Sequence, residues 1–166
     1  MPVAFVALGS NLGDSVQILR DAMDRLAKLG SSPLLKSSLW KTSPVDCPPG
    51  SPPFVNAVVG LETLPGETPE TLLEHLQQLE KEYGRRPKVV LNEPRPLDLD
   101  LIAFGTETRD CARLTLPHPR AHQRRFVLAP LAEIAPDLVL WGQSKRVAEL
   151  LADLATDETI SRMAEG

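Results

Sequence analysis

The chain has 166 residues, of which 42% are hydrophobic and 24% charged, values typical of one globular domain. It contains no run of 18 apolar residues, so we predict no membrane span, and its two cysteines, Cys47 and Cys111, are too few for a disulfide framework. The net charge is −4, but residues 85–125 hold nine Arg and Lys against five Asp and Glu, which favours an anionic small molecule over nucleic acid as the ligand.

Hydrophobic spacing predicts four strands and two helices in the order β-α-β-β-α-β. The strands are expected at residues 3–8, 34–41, 54–63 and 97–104. Asp14 or Ser15 is expected to cap the first helix, which ends near Gly30. Thr68 is expected to cap the second helix, with Pro69 at its first position. This order predicts an α+β fold with a ferredoxin-like core.

The residues after the fourth strand are predicted to add elements to this core. Helices at 126–134 and 144–154 are expected on either side of a short strand at 139–141, and the polar tail 156–166 is expected to be frayed. No repeat or linker divides the chain, so residues 1–166 are predicted to form one domain. Residues 1–8 do not resemble a secretion signal, from which we expect a cytoplasmic protein.

The fourth predicted strand carries two aspartates, Asp98 and Asp100, which alternate with leucines. Residues two apart share a strand face, so the two carboxylates project together, about 6.6 Å apart along the strand. Such carboxylates repel each other unless a hard cation lies between them, and a pair of Mg²⁺ ions about 3.5–4 Å apart fits this spacing. The alternative is the solvated face of an edge strand. Arg95, three residues earlier, favours a site for metal and polyphosphate.

The third predicted strand offers a surface for recognising a ligand. Phe54 and Asn56 share one of its faces, while the apolar residues between and after them take the other. A ring beside an amide suits a flat heterocycle, because the ring stacks and the amide supplies a donor and an acceptor. Equally, Phe54 can belong to the core and Asn56 can cap the end of the strand.

Two further features have weaker interpretations. A zinc site built from His118 and His122 with the two cysteines is disfavoured, since none of the usual ligand spacings occurs, and a contact to nucleotide phosphate is favoured for His118. The segment from Gly9 to Gly13 matches neither the P-loop nor the dinucleotide motif, so it predicts either a tight strand-to-helix turn or a ligand contact.

A protein of another class, an RNA-binding ferredoxin-like module, is the competing hypothesis. Such a module needs stacking aromatics on its central strands. This chain has only two Trp, one Tyr and four Phe, and its fourth strand carries aspartates where stacking rings would be needed. The sequence therefore favours an enzyme.

Seven motifs follow one another along the chain. They are Gly9-Ser10-Asn11-Leu12-Gly13-Asp14, Thr42-Ser43-Pro44, Phe54-Val55-Asn56-Ala57, Glu80 with Gly84-Arg85, Pro94-Arg95-Pro96-Leu97-Asp98-Leu99-Asp100, Leu114-Thr115-Leu116-Pro117-His118-Pro119-Arg120 and Arg124-Arg125-Phe126-Val127-Leu128. In this order they resemble the 6-hydroxymethyl-7,8-dihydropterin pyrophosphokinase family, over residues 3–140. The resemblance implies a ferredoxin-like fold and transfer of a diphosphoryl group from ATP to the pterin hydroxymethyl group, which releases AMP in folate biosynthesis.

The resemblance also implies which residues form the site. Asp98 and Asp100 match the ligands of two Mg²⁺ ions and, with Arg85 and Arg95, the catalytic set. The implied pterin-binding residues are Thr42, Pro44, Val45, Phe54, Asn56 and Phe126, with the two rings on opposite sides of the pterin. The implied nucleotide-binding residues are Gln77, Glu80, Arg85, Arg95, Arg113, His118 and Arg124.

Four positions depart from the family pattern. Pro87 and Leu91 stand where some members carry basic loop residues. Asn92 stands where members often carry Trp, and Pro119 stands where some carry Tyr.

The expected partners are ATP and the pterin, without nucleic acid or membrane, and the expected form is a monomer. The presence of Asp98, Asp100, Arg85 and Arg95 argues against a regulatory homologue that binds pterin without turnover.

Overall fold

The computed structural model describes residues 2–11, 14–31, 33–42, 53–83, 96–155 and 160–163. The strands are β1 Val3–Ser10, β2 Leu35–Lys36, β3 Trp40–Thr42, β4 Phe54–Glu62, β5 Asp98–Phe104, β6 Arg109–Asp110, β7 Thr115–Leu116 and β8 Ile160–Arg162. The helices are α1 Ser15–Ala27, α2 Pro69–Glu82, α3 Arg125–Ile134 and α4 Val147–Asp153, with a 3-10 turn at Ala121–Gln123.

The main sheet runs in the order β5-β1-β4-β3-β8, and β2 pairs with β4 beside β3. All of these neighbours are antiparallel. The fourth, first, third and second predicted strands therefore follow one another across the sheet. This is the predicted ferredoxin-like arrangement, and the α+β fold class is confirmed.

Helices cover both faces of the sheet. On one face, α1 and α2 pack against alternate residues of β1, β4 and β5. The fully buried helix leucines of this layer are Leu19, Leu26, Leu72 and Leu76. On the other face, which we call the second face, α3 and α4 pack on Phe5, Val58 and Ile102. The chain thus forms three layers, with the sheet between two layers of helices.

The two core helices begin where the sequence predicts. The Asp14 side chain accepts a hydrogen bond from the Gln17 amide at 3.3 Å. Thr68 and Thr71 form a reciprocal capping box, in which each side chain accepts from the other residue's backbone N–H. Pro69 occupies the first turn of α2, where no intrahelical donor is lost. Local capping chemistry therefore fixes both helix starts.

The predicted strand at 34–41 is interrupted in the structure. The Ser37 amide donates to the carbonyl oxygen of Val58 at 3.0 Å, while the Ser37 hydroxyl accepts from the Val58 amide at 2.9 Å. A side-chain oxygen thus takes the place of a backbone carbonyl in the ladder. The strand divides at this point into β2 and β3, because a hydroxyl can compete with the backbone for the same donor.

The C-terminal predictions are partly wrong. Residues 139–141 form no strand, since Gln143 N–H donates to the Leu140 carbonyl in a turn that contains Gly142 at φ +86°. The last helix begins at Val147 rather than at residue 144. Part of the tail predicted to be frayed forms β8, which pairs with β3. None of the helices in the described part of the chain has the length and apolar composition needed to cross a bilayer.

Glu133, near the end of α3, holds that helix against the interrupted strand. Its Oε1 accepts from the backbone N–H of Ser38 and from the Trp40 indole, both at 3.0 Å. Its Oε2 accepts from the Ser38 hydroxyl at 2.5 Å. Burial alone would raise the pKa of the Glu133 carboxyl group, but these hydrogen bonds outweigh burial, and the pKa lies below its ordinary value of 4.5. The ionised form therefore stabilises the fold.

Glu133→Gln is expected to lower the free energy of unfolding at pH 7 by no more than about 1 kcal/mol, because the carboxylate is partly solvated. A depressed carboxyl pKa stabilises the fold fully above the unfolded value, and this contribution is lost as the pH falls through the folded value. The stability difference between wild type and variant should therefore shrink below about pH 4.5. Urea unfolding from pH 3 to pH 7 measures it, and a difference that does not change with pH would contradict this assignment.

Candidate active site

The two aspartates lie on β5 with small residues beside them. Asp98 pairs with Gly9 and Asp100 with Ala7, both on β1, and the two carboxylates are half-buried. Both residues project from the second face of the sheet, where Gly9 and Ala7 occupy little volume. The predicted same-face pair therefore forms.

An amide lies two strands away from the acidic pair. Gly9 pairs with Asp98 on one side and with Asn56 of β4 on the other, so these three residues form one row across the sheet. Neighbouring strands are about 4.8 Å apart, which places the backbones of Asp98 and Asn56 roughly 10 Å apart. A small flat molecule can therefore contact both ends of this row.

Asn56 is held in one orientation. Its side chain is buried, and its Nδ2 donates to the Thr42 hydroxyl at 2.9 Å. A Cβ added at Gly9 would lie 3.0 Å from the Asn56 Oδ1, so the amide oxygen faces β1. The sequence predicts a tight turn or a ligand contact for the segment that begins at Gly9, whereas the structure places Gly9 inside β1. A glycine inside a strand pattern is the signal that could have indicated a close approach.

The two predicted aromatic residues lie on the same second face. Phe54 begins β4, two residues before Asn56, and is in neither of the apolar clusters that the described residues form. Phe126 lies in the first turn of α3 and packs only partly against the second-face cluster. The Arg124 guanidinium lies 5.4 Å from the centroid of the Phe126 ring, within cation–π range. Neither ring is enclosed in the core.

His118 lies near the acidic pair and two arginines. Burial is the main cause that lowers the pKa of His118, the charges of Arg124 and Arg120 lower it further, and Asp98 opposes them. The ring is therefore neutral near pH 7. Its Nδ1 accepts from the Arg120 amide at 3.2 Å, which assigns the ring proton to Nε2. His118 is thus a neutral N–H donor within electrostatic range of Asp98.

The remaining predicted nucleotide residues lie on the other side of β5. Glu80 of α2 is buried and accepts from the backbone N–H of Leu99 at 2.8 Å. Gln77 lies one helical turn earlier and is exposed. Arg113, in the β6–β7 hairpin, forms an exposed ion pair with Glu74 at 3.3 Å. The predicted nucleotide set is therefore divided between the two sides of this edge strand.

The acidic pair suits a cation that takes its remaining ligands from water or substrate. Among the described residues, no group of three or more His, Cys, Asp or Glu side chains is placed to hold a metal. Two carboxylates on one strand face fit Mg²⁺, which usually takes one or two carboxylates and completes its shell with water and substrate phosphates. They do not fit a closed structural site such as zinc requires.

A cavity of about 470 Å³ lies between the β6–β7 hairpin and the turn at 140–143. Its lining includes His118, His122 and Trp141, but neither Asp98 nor Asp100. We place the site over the strands rather than in this cavity, because the carboxylates and the amide lie on the sheet.

Several predicted positions fall outside the described residues. They are Pro44, Val45, Cys47, Arg85, Asn92 and Arg95. Their roles stay predictions. The structure brings together Asp98, Asp100 and His118 at one end of the site and Asn56 with Thr42 at the other.

A ferredoxin-like domain with this set of acidic, basic and aromatic side chains defines an enzyme of the phosphoryl-transfer class. The family model for 7,8-dihydro-6-hydroxymethylpterin-pyrophosphokinase matches residues 5–136. The chain therefore belongs to this family. Family membership also confirms the predicted activity, which is that of an ATP-dependent pyrophosphokinase of folate biosynthesis.

Curated relatives agree with the family. The chain is 40% identical to a 2-amino-4-hydroxy-6-hydroxymethyldihydropteridine pyrophosphokinase of Haemophilus influenzae, over 96% of this chain and 98% of the relative. It is 41% identical to the enzyme of the same name from Bacillus subtilis, over 80% and 77%. The folic acid synthesis protein fol1 of Pneumocystis carinii is 39% identical over 81% of this chain, which spans only 18% of that protein.

Solved structures show the same fold. The crystal structure of an HPPK-DHPS protein in complex with substrates superposes with a TM-score of 0.69, at 11% identity, over 91% of this chain. The chain spans 44% of that protein. At this identity the likeness supports the fold alone.

Proposed function

We propose that the second face of the sheet is the active site, where the pterin hydroxymethyl oxygen attacks the β-phosphorus of ATP. The bond from this phosphorus to the oxygen that bridges the α- and β-phosphates breaks, AMP leaves with that oxygen, and the hydroxyl proton passes to solvent. The row formed by Asp98, Gly9 and Asn56 carries the proposal. The row supports binding of the pterin at its Asn56 end and of the phosphates at its Asp98 end. Its length of two strand spacings can be spanned by the two reacting molecules.

Asp98 and Asp100 would hold Mg²⁺, and the family resemblance implies two such ions. When bound, Mg²⁺ neutralises phosphate charge and lowers the pKa of a hydroxyl that it coordinates. The two carboxylates fix this charge at one place on a rigid strand, as transfer of a phosphoryl group requires mainly positioning and charge neutralisation.

Phe54, Asn56 and Phe126 would bind the pterin. The buried Asn56 amide presents its oxygen over Gly9 and is oriented by Thr42. The two rings supply stacking surfaces on either side of a flat ligand. Pro44 and Val45 complete the proposed pocket as predictions from the resemblance.

The nucleotide would be bound by cations and donors around β5. His118 offers Nε2–H, and Arg124 lies beside it. Gln77 and Arg113 are the proposed contacts on the α2 side, whereas Glu80, which the resemblance also implies as a nucleotide contact, is bonded to the Leu99 amide. Arg85 and Arg95 are proposed to neutralise the charge that develops during transfer, because arginine binds phosphate oxygens in a bidentate manner.

Gly9→Ala is expected to weaken pterin binding about tenfold, since the new Cβ would meet the Asn56 Oδ1 at 3.0 Å and the Thr42 hydrogen bond keeps that amide from moving. A loss of this size equals about 1.4 kcal/mol. Gly60→Ala is the matched control, because its Cβ would meet the Phe5 ring at the same 3.0 Å on the same face, away from the site. Calorimetry of pterin binding compares the two. Equal affinities in both variants would contradict the proposed pocket.

We further propose that the enzyme is cytoplasmic and monomeric. Cys111 is an exposed free thiol, which fits a reducing compartment. Sedimentation of the protein at micromolar concentration tests whether it is a monomer.

The activity itself is tested by incubating the protein with ATP and 6-hydroxymethyl-7,8-dihydropterin. AMP and the pterin diphosphate should form in equal amounts and only with a divalent cation. Release of ADP instead of AMP, or equal rates in excess EDTA, would contradict the proposal.

A further inference from the structure

Strand β5 lies at the edge of the main sheet, with β1 as its neighbour. Leu99 pairs with Leu8 of β1 and lies between Asp98 and Asp100. An edge strand presents backbone groups to the outside of the sheet, and these need partners when they are buried. The position of β5 is therefore not determined by strand pairing alone.

Glu80 supplies such a partner for Leu99. Its Oε2 accepts from the Leu99 N–H at 2.8 Å, and the residue is only 8% exposed. A buried carboxylate is costly unless it accepts hydrogen bonds. Leu76 and Leu79 of the same helix are packed in the core, so Glu80 is fixed relative to the sheet.

We propose that Glu80 is a positioning residue, which fixes the β5 backbone between the two metal-binding carboxylates. The inference rests on the proposed function and deepens it. Asp98 and Asp100 flank Leu99, whose amide is bonded to Glu80, so a shift of the Leu99 backbone moves both carboxylates. Glu80 thus acts on the metal site through the Leu99 amide and not through contact with the nucleotide.

Four variants separate this positioning role from a nucleotide contact and from a general effect on the fold. Glu80→Gln keeps an acceptor of the same length, so it should preserve the bond to Leu99. Glu80→Asp keeps the charge but is one methylene shorter, so it should lose the bond without the disruption that Glu80→Ala can cause. Glu82→Gln is the matched control, because it removes an exposed carboxylate, paired with Arg25, two residues away on the same helix.

The first measurement is hydrogen exchange of the Leu99 amide by NMR, without ligands. Exchange should accelerate about tenfold or more in Glu80→Asp and Glu80→Ala and stay within about threefold of wild type in Glu80→Gln and Glu82→Gln. The second is the Mg²⁺ concentration that gives half-maximal binding of a non-hydrolysable ATP analogue. It should rise about tenfold in Glu80→Asp, the range found when a group that orients a metal ligand is lost, and remain unchanged in the glutamine variants.

Either of two results would overturn the inference. One is unchanged Leu99 exchange and an unchanged Mg²⁺ requirement in Glu80→Asp. The other is a loss of nucleotide affinity at saturating Mg²⁺ in Glu80→Gln, which would make Glu80 a nucleotide contact. A wild-type protein that forms no AMP would defeat the proposed function separately, since the exchange measurement does not depend on catalysis.

Discussion

Replacing Asp98 or Asp100 with alanine is expected to lower turnover by about two orders of magnitude or more, because each carboxylate supplies part of the proposed metal site. The fold should persist. Both side chains are half-buried members of a like-charged pair, so we expect the free energy of unfolding to change by no more than about 0.5 kcal/mol.

Steady-state turnover across a range of Mg²⁺ concentrations measures the effect, and thermal unfolding checks the fold. Asp24→Ala, which removes an exposed carboxylate from α1, is the matched control and should be as active as wild type. Near-normal turnover of either β5 variant at saturating Mg²⁺ would remove that aspartate from the metal site.

Phe54→Ala and Phe126→Ala are each expected to weaken pterin binding about tenfold or more, with much smaller effects on ATP. By analogy with bases stacked on aromatic side chains, each ring contributes roughly 1–3 kcal/mol. The structure strengthens this expectation for Phe54, which lies outside both apolar clusters of the described chain. Its alternative role as a core residue is correspondingly disfavoured.

Asn56→Ala should reduce discrimination between the pterin and analogues altered at the edge that meets the amide. A buried amide left unpaired by the wrong ring costs about 1–3 kcal/mol, and the alanine variant removes this penalty. Equilibrium binding of two pterin analogues to the three variants provides the measurement. If both phenylalanine variants bind as wild type does, the pterin pocket is not where we place it.

Local patterns were sufficient to predict much of this fold. The positions of β1, β4, β5, α1 and α2 follow from apolar periodicity and from caps at Asp14 and Thr68, because these elements bury one regular face. The same-face position of Asp98 and Asp100 follows from the two-residue strand period alone.

Other features depend on contacts between distant residues. The break between β2 and β3 is caused by a hydroxyl of Ser37 that meets Val58, 21 residues later. The strand β8 forms by pairing with β3, which is distant in the sequence. Its own short polar segment has no pattern that predicts a strand. The bond from Glu80 to the Leu99 amide also joins two elements, and the sequence shows only a glutamate on a helix.

In the proposed site, a metal held by Asp98 and Asp100 lies two strands away from the Asn56 amide, on the same face of the sheet. NMR line broadening by Mn²⁺, which takes the same oxygen ligands as Mg²⁺, tests this most directly in the presence of a non-hydrolysable ATP analogue. The side-chain amide signal of Asn56, whose backbone is roughly 10 Å from that of Asp98, should broaden. The Asp98→Asn/Asp100→Asn double variant should abolish the effect. If the Asn56 signal does not broaden in the wild type, or still broadens in the double variant, the proposed position of the metal is contradicted.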